Sequence, residues 1–590
     1  MTASASPLSQ APPSGLPRRG LRGLWDRVTR EPNAIWMREM RQAARLGRTP
    51  WILFSLTLLI SLLMCSIGGI AASSEASPAS LGGILFQVFF SIAYFVVTLV
   101  GPAVAANSIA SEREGRTWEA VLLTGLTPKQ ITRGKFFAAY TTIGLYIVVL
   151  APVGALSFLF GGVTATEVVV AFVFLFVLAA LSVAFGLGVS SLMSSLRGAI
   201  VVTLMLAICV GPILYITFGF SCSMGIHELW SDVPTGLPIW LPLAYTRAPF
   251  GLEYVLLLFV LPLLLMFVPA WFLYEATIAN LTGEAEDRST GLKRWYTVTA
   301  PLLALACAVP SALATVDETR MVLSLIGIGA FSLYAGFCAM LFAAEPPGPS
   351  RRVRIHWDRD GASAVARFFG PGLTRTSLLV AFVGVAGVGA IAFIDVFVTQ
   401  AFPSGTAYSS VTPASCDEQI FLFATYLSLF FIFVVGLTAS LRARGNAPWV
   451  ARLITMAILL LIQAGPWVVA AIGGVLSTRH DDDWLMVAAP SPFYVFAMLK
   501  EAGKSEPSAV IPVGLACAFM WGMAGLLLLA TAARRCSRIV AQHDAAVAHA
   551  DAALRAEEEA LARASARVPD AVGPSAASSV GGSSEPPRLA

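Results

Sequence analysis

Charge is what this 590-residue chain has least of: Asp, Glu, Lys and Arg supply 13% of it, against about 25% in an ordinary soluble domain. With 57% hydrophobic residues and a mean hydropathy of +0.75, that shortage excludes a soluble globular protein. Histidine is scarcer still, five in all, and neither His227-Glu228 nor His480 followed by Asp481, Asp482 and Asp483 has a metal-ligand spacing. The eight cysteines lie mostly inside apolar runs (Cys65, Cys209, Cys307, Cys338, Cys517), where they read as small hydrophobes. Cys222 and Cys416 fall near the outer ends of two runs and are the one candidate pair, without any spacing logic behind it. A phosphate-cradling loop is also missing. The only Gly-Lys-Ser is Gly503-Lys504-Ser505, and Met498 occupies the place of the required earlier glycine. The chain is therefore expected to be no enzyme, with no catalytic, cofactor-binding or metal-binding residue of its own.

What is abundant is long apolar runs. Twelve reach about 20 residues, enough to cross a hydrocarbon core of about 30 Å, centred near residues 61, 94, 147, 180, 210, 262, 307, 332, 389, 430, 463 and 520. The first 50 residues hold nine Arg and no apolar core, so the first span is expected to act as the targeting signal in place of a cleavable peptide. Twelve crossings place both termini on one side. Assigning that side to the cytoplasm collects 34 of the 39 Lys and Arg there and leaves Arg247, Arg320, Arg479, Lys500 and Lys504 outside. The net charge of +4 is thereby a topology signal and calls for no nucleic-acid partner.

Ionisable groups inside the runs are few, and a charge at mid-bilayer costs about 2.5–3.5 kcal/mol or more. Glu167 follows Thr164 by three, as in a capping box, while Glu253, Glu275 and Asp395 are expected near span ends, within reach of interfacial water. Gln87 and Gln463 read as isolated amides joining helices. Proton coupling is thus poorly supplied. Two proline-broken outer segments, Leu237 to Phe250 and Trp484 to Phe493, with Trp240, Tyr245, Trp484 and the adjoining Tyr494 suited to a membrane–water boundary, read either as an outer gate or as an interfacial anchor.

The densest charge lies between the second and third runs, Ser111 to Lys135. Glu112, Arg116 and Glu119 recur at i, i+4 and i+7, which predicts one face of a short helix, with Trp118, Val121 and Leu122 on the other. Gly125 is placed to stop that helix, and Thr127, Pro128 and Gln130 to start the next as N-cap, N1 and N3. The second half of the chain echoes the first. Glu112-Arg113-Glu114-Gly115 aligns with Asp358-Arg359-Asp360-Gly361 at an offset of 246, and Gly125-Leu126-Thr127 with Gly372-Leu373-Thr374 at 247. Ser195-Leu196-Arg197 aligns with Ser440-Leu441-Arg442 at 245, and Trp240-Leu241 with Trp484-Leu485 at 244. Four matches in order predict two six-helix units as parallel repeats.

The stretch from about Asn33 to Asn280 resembles the membrane subunit of type-2 ATP-binding-cassette (ABC) transporters, mostly exporters. The likeness rests on Trp36-Met37-Arg38-Glu39-Met40-Arg41, then two spans, then Ser111-Glu112-Arg113-Glu114-Gly115-Arg116-Thr117 with Leu122-Leu123-Thr124 and Thr127-Pro128, and on Gly188-Val189-Ser190-Ser191-Leu192 at the end of the fourth span. The resemblance implies that the charged word is a cytoplasmic coupling helix. Glu112, Arg113, Glu114, Arg116 and Thr117 would then contact a separate ATP-binding subunit that holds the ATP. In the second half Asp358, Arg359 and Asp360 would form a degenerate counterpart, with Ala362 where Arg116 stands in the first.

The expectation is an all-α integral membrane protein of about twelve transmembrane helices in two six-helix repeats, both termini cytoplasmic, in a bacterial-type inner membrane. Residues 1–50 form an N-terminal segment with an amphipathic helix, and 51–280 the first half, with its coupling helix at 108–134. A linker at 281–296 leads to the divergent second half, 297–532, with a loop at 345–376. A helical segment at 533–567 precedes a disordered tail at 568–590, and Met1 to Pro17 also reads as disordered. Val540, Val547, Leu554 and Leu561 recur every seven residues, but without a second apolar core position the segment reads as a solvated helix. The partners are a cognate ABC ATP-binding subunit, the lipid bilayer and, as an open alternative, a second permease chain. The rival functions are a twelve-span secondary carrier and a membrane assembly or scaffold protein.

Overall fold

The structure is a computed structural model and describes residues 33–45, 48–73, 77–283, 285–314, 316–402, 413–476, 483–502 and 508–566. The chain ends at 1–17 and 568–590, His480 to Asp482, and the Gly503-Lys504-Ser505 segment lie outside the described residues. Among those described every element is helical and no strand occurs.

The first half comprises α1 (Ala34–Arg45), α2 (Arg48–Ser73), α3 (Pro78–Glu114), α4 (Trp118–Leu123), α5 (Pro128–Leu159), α6 (Ala165–Leu192) and α7 (Leu196–Ile216). A π-helical turn, Thr217–Ser221, carries α7 into α8 (Cys222–Leu229), followed by α9 (Leu241–Arg247) and α10 (Leu252–Tyr254). A second π-helical turn, Val255–Val260, leads into α11 (Leu261–Leu281). The second half comprises α12 (Thr290–Leu313), α13 (Asp317–Phe342), α14 (Arg351–Arg359), α15 (Ala364–Phe369), α16 (Leu373–Ala401), α17 (Pro413–Ala443), α18 (Pro448–Leu476), α19 (Asp483–Val487), α20 (Val495–Glu501) and α21 (Val510–Ala566).

Among the described residues twelve helices are long and apolar enough to cross a membrane, and each expected run centre falls inside one of them. The chain is a multi-pass membrane protein. The caps form where the sequence places them. Thr164 and Glu167 make a reciprocal capping box at α6, Thr127 and Gln130 make another at α5, and Gly125 turns the chain with φ +74°.

Each half has its own hydrophobic core, and the halves meet where α11 lies against α12. In the first half α3 and α6 pack through small residues at four-residue spacing, which lets two backbones approach closely. Ser182 Oγ donates to the Val97 carbonyl at 2.6 Å, a Cβ on Gly186 would lie 2.3 Å from the Pro102 carbonyl oxygen, and Ser190 Oγ donates to Ala106 O at 2.6 Å. In the second half α17 and α21 close on glycine in the same way, since a Cβ on Gly436 would lie 2.4 Å from Gly525 O.

Three expectations are corrected. Trp240 and Tyr494 are buried inside the protein and do not present their rings to the lipid surface; Trp240 Nε1 donates to Phe218 O at 2.8 Å, so the proline-broken segment folds back into the helices. Gln87 joins no second long helix. It binds both backbone groups of Ile239 in that segment, at 3.1 and 3.2 Å. Asp395 lies near the end of its span as expected, but it is fully buried between α12, α13 and α16 and has no exposed surface of its own. All eight cysteines, including Cys222 and Cys416, are free thiols.

Candidate functional site

The charged insert does not form one helix. Helix α3 runs on to Glu114, the chain breaks at Gly115–Thr117, and α4 begins at Trp118. Glu112, Arg116 and Glu119 therefore share no helical face. The break has a backbone cause: Arg116 adopts φ +55°, the one non-glycine residue with positive φ among those described, while Gly115 N and Thr117 N bond back to Ser111 O and Glu112 O at 2.9 Å each. A side chain held there costs about 1–3 kcal/mol, which the surrounding contacts must offset.

Those contacts come from the three residues before the break, Glu112 and Arg113 half-buried and Glu114 exposed. Glu112 pairs with the ammonium of Lys135 on α5 at 3.0 Å and with Arg38 on α1. Lys135 is 0% exposed and also meets Glu39 at 3.2 Å and the Ser108 carbonyl at 2.8 Å. Two acids and two bases from three helices thus neutralise one another around a buried cation, as burial requires. Burial works against the charged Arg38 guanidinium, but Glu112 and then Glu39 outweigh it and raise its pKa above the usual arginine value.

Arg113 donates to Ser191 O and Met193 O at 2.8 and 3.2 Å, closing the C-terminus of α6, and its guanidinium lies 5.6 Å from the Trp118 ring. Both its charge and its donors suit a helix C-terminus. Glu114 does the reverse: Leu196 N, in the first turn of α7, donates to its carboxylate at 2.6 Å. The end of α3 is in this way tied to α1, α5, α6 and α7 at once. Helix α1 is seated by Asn33, which caps it and donates to Gln130 O at 2.8 Å, and by Ile35, buried with Val121 and Ile131.

Facing outward are Glu114, Arg116, Thr117, Glu119 and two leucines. Val121 is the buried residue of α4, whereas Leu122 is exposed and Leu123 is 87% exposed, so the expected apolar face is split. The two exposed leucines thus lie beside the charged side chains of Arg116 and Glu119. Leu123 was invisible as a surface residue in the sequence. Lys135 read only as one more basic residue, because no local pattern tells a buried lysine from a boundary one.

In the second half, α15 (364–369) stands 246 residues after α4 (118–123), the offset at which the charged words align. Asp358 pairs with Arg367 at 3.2 Å, Asp360 with His356 at 3.2 Å, and Arg359 is exposed. Asp358 links α14 to α15, but through an exposed pair, with no buried cation such as Glu112 meets. Lys293, almost fully buried, pairs instead with Glu345 at 3.0 Å and donates to Gly370 O at 2.7 Å. Here α14 is linked to the extension of α21 by two ion pairs: Arg351 meets Asp551 at 2.8 Å and Arg354 meets Asp544 at 2.5 Å. Asp544 raises the Arg354 pKa.

No protein-family model matches the chain, and no curated protein aligns with it. Among the described residues no cluster of His, Cys, Asp and Glu has the makings of a metal site.

Proposed function

We propose that the chain is the permease subunit of an ATP-driven ABC transporter, an exporter, in a bacterial-type inner membrane. In this reading the charged end of the bundle faces the cytoplasm, the halves are parallel repeats, and ATP is hydrolysed by a separate subunit. The observation that carries the proposal is the junction at Glu112–Leu123, a strained turn and an exposed leucine pair mounted on the end of a single long helix. Helix α3 has 37 residues, about 55 Å, so it spans the bilayer and projects beyond it.

A partner that grips Arg116, Thr117, Glu119, Leu122 and Leu123 would move α3 as a rod. The clasp of Glu112, Arg113 and Glu114 would carry that motion to α5, α6 and α7 together, opening the bundle alternately to the two sides. In the second half Asp358, Arg359 and Asp360 would give at most a weak docking element. The test is copurification. Wild type should bring down an ATPase, and Leu123→Asp should lose that ATPase while remaining in the membrane. A Leu123→Asp protein that retains its ATPase, or a wild type that brings none, overturns the proposal. A second reading, a twelve-span secondary carrier, is favoured by one observation, the buried Asp395. It requires transport on an ion gradient without any ATPase.

A further inference from the structure

Asp395 lies on α16 about 9 Å inside its end at Ala401 and has no exposed surface. Its Oδ1 accepts from Ser311 Oγ of α12 at 2.5 Å. Its Oδ2 is buried and accepts nothing. Ser324 Oγ of α13 stands within interaction range of the same carboxyl and is likewise buried without a completed hydrogen bond.

The counter-charge beside the carboxyl, Arg320, is paired with Asp317 and keeps a buried Nε without a hydrogen-bond partner. From α13 come Asp317 and Arg320, and the Arg320 guanidinium is held by Asp317 at 3.0 Å, by Ala314 O at 2.8 Å and by Phe402 O at 3.4 Å. From α17 come Cys416, a buried free thiol, and Asp417, which accepts from Gln400 at 3.3 Å. Helix α12 contributes only the Ser311 hydroxyl, and on α16 itself Thr399 donates to the Asp395 main-chain carbonyl at 2.9 Å. An ionised Asp395 would be a carboxylate with no exposed surface and no ion pair of its own, since the nearby Arg320 is bound to Asp317, and a buried charge left unpaired is neutralised rather than kept.

We propose that Asp395 is a proton-binding site, its carboxyl carrying the proton on Oδ2 and donating it to Ser324 Oγ while Oδ1 accepts from Ser311. The bound proton thereby joins α12, α13 and α16. The site belongs to neither the junction at Glu112 nor its partner, and it stands whether or not an ATPase docks there.

Infrared spectroscopy of the purified wild-type protein in lipid vesicles at neutral pH tests it. A carbonyl band of a protonated carboxylic acid should be present, should disappear in Asp395→Asn, and should shift in Ser324→Ala, where the acceptor is lost. Asp395→Asn keeps a donor and an acceptor and should fold as wild type. On raising the pH the wild-type melting temperature should fall, because the folded state holds a proton that the unfolded state releases, while Asp395→Asn should not follow that fall. Absence of the band at neutral pH, its persistence in Asp395→Asn, or identical pH dependence of the two proteins overturns the proposal.

Discussion

Replacing Glu112 by Gln removes one of the two carboxylates that face the buried Lys135 ammonium. The pair is 3.0 Å apart, and the lysine side chain is 0% exposed against 12% for the glutamate. At that distance the attraction at an effective dielectric of about 20 is about 5 kcal/mol, and orphaning one member of a buried pair costs about 3–5 kcal/mol. Glu39, at 3.2 Å, remains as a partial partner, so the expected loss is about 2–3 kcal/mol. Lys135→Met removes the cation instead and leaves both carboxylates beside Arg38, whose side chain is 48% exposed, at an expected cost of about 1–2 kcal/mol. The double variant should then cost less than the two single ones together, by about 1–2 kcal/mol. Equilibrium unfolding in mixed micelles, followed by tryptophan fluorescence, measures the cycle. Single-variant losses that add within about 0.5 kcal/mol would refute the claim that these two groups share one buried pair. The same reasoning makes Glu112→Lys a poor probe of a partner subunit, because it puts a third cation into the cluster and acts through folding.

Arg116→Gly should raise stability by about 1 kcal/mol in the same assay, since glycine takes φ +55° without strain; a loss would show that the arginine side chain outweighs its backbone cost. Gly186→Ala should lower the melting temperature, costing about 1–3 kcal/mol, because its Cβ would meet the Pro102 carbonyl, whereas Gly83→Ala, with open space around it, should be within about 0.5 kcal/mol of wild type. Arg351→Glu should change stability by no more than about 1 kcal/mol, as its pair with Asp551 is largely exposed. It should free the α21 extension to tryptic cleavage at Arg555, and an unchanged digestion pattern would count against the clasp.

The number, place and order of the spans, the caps at Thr127 and Thr164, and the turn at Gly125 were legible from the chain alone. Each depends on residues close in sequence: apolar length, a hydroxyl three positions before an amide or acid, a glycine where φ must be positive. The position of the junction was legible for the same reason, as a charged word between apolar runs. The direction in which its side chains point was not. Helical spacing put Glu112, Arg116 and Glu119 on one face, but the left-handed turn at Arg116 reset the phase between them. Tertiary packing then decided that Glu112, Arg113 and Glu114 clasp Lys135, the end of α6 and the start of α7, and that Leu123 is bare. It also buried Asp395, Trp240 and Tyr494, which local position had assigned to water or the boundary. Hydropathy fixes which segments lie in lipid, because each residue meets the solvent alone. Which charge lies buried beside which partner depends on residues tens to hundreds of positions apart, and only the packed bundle brings them together.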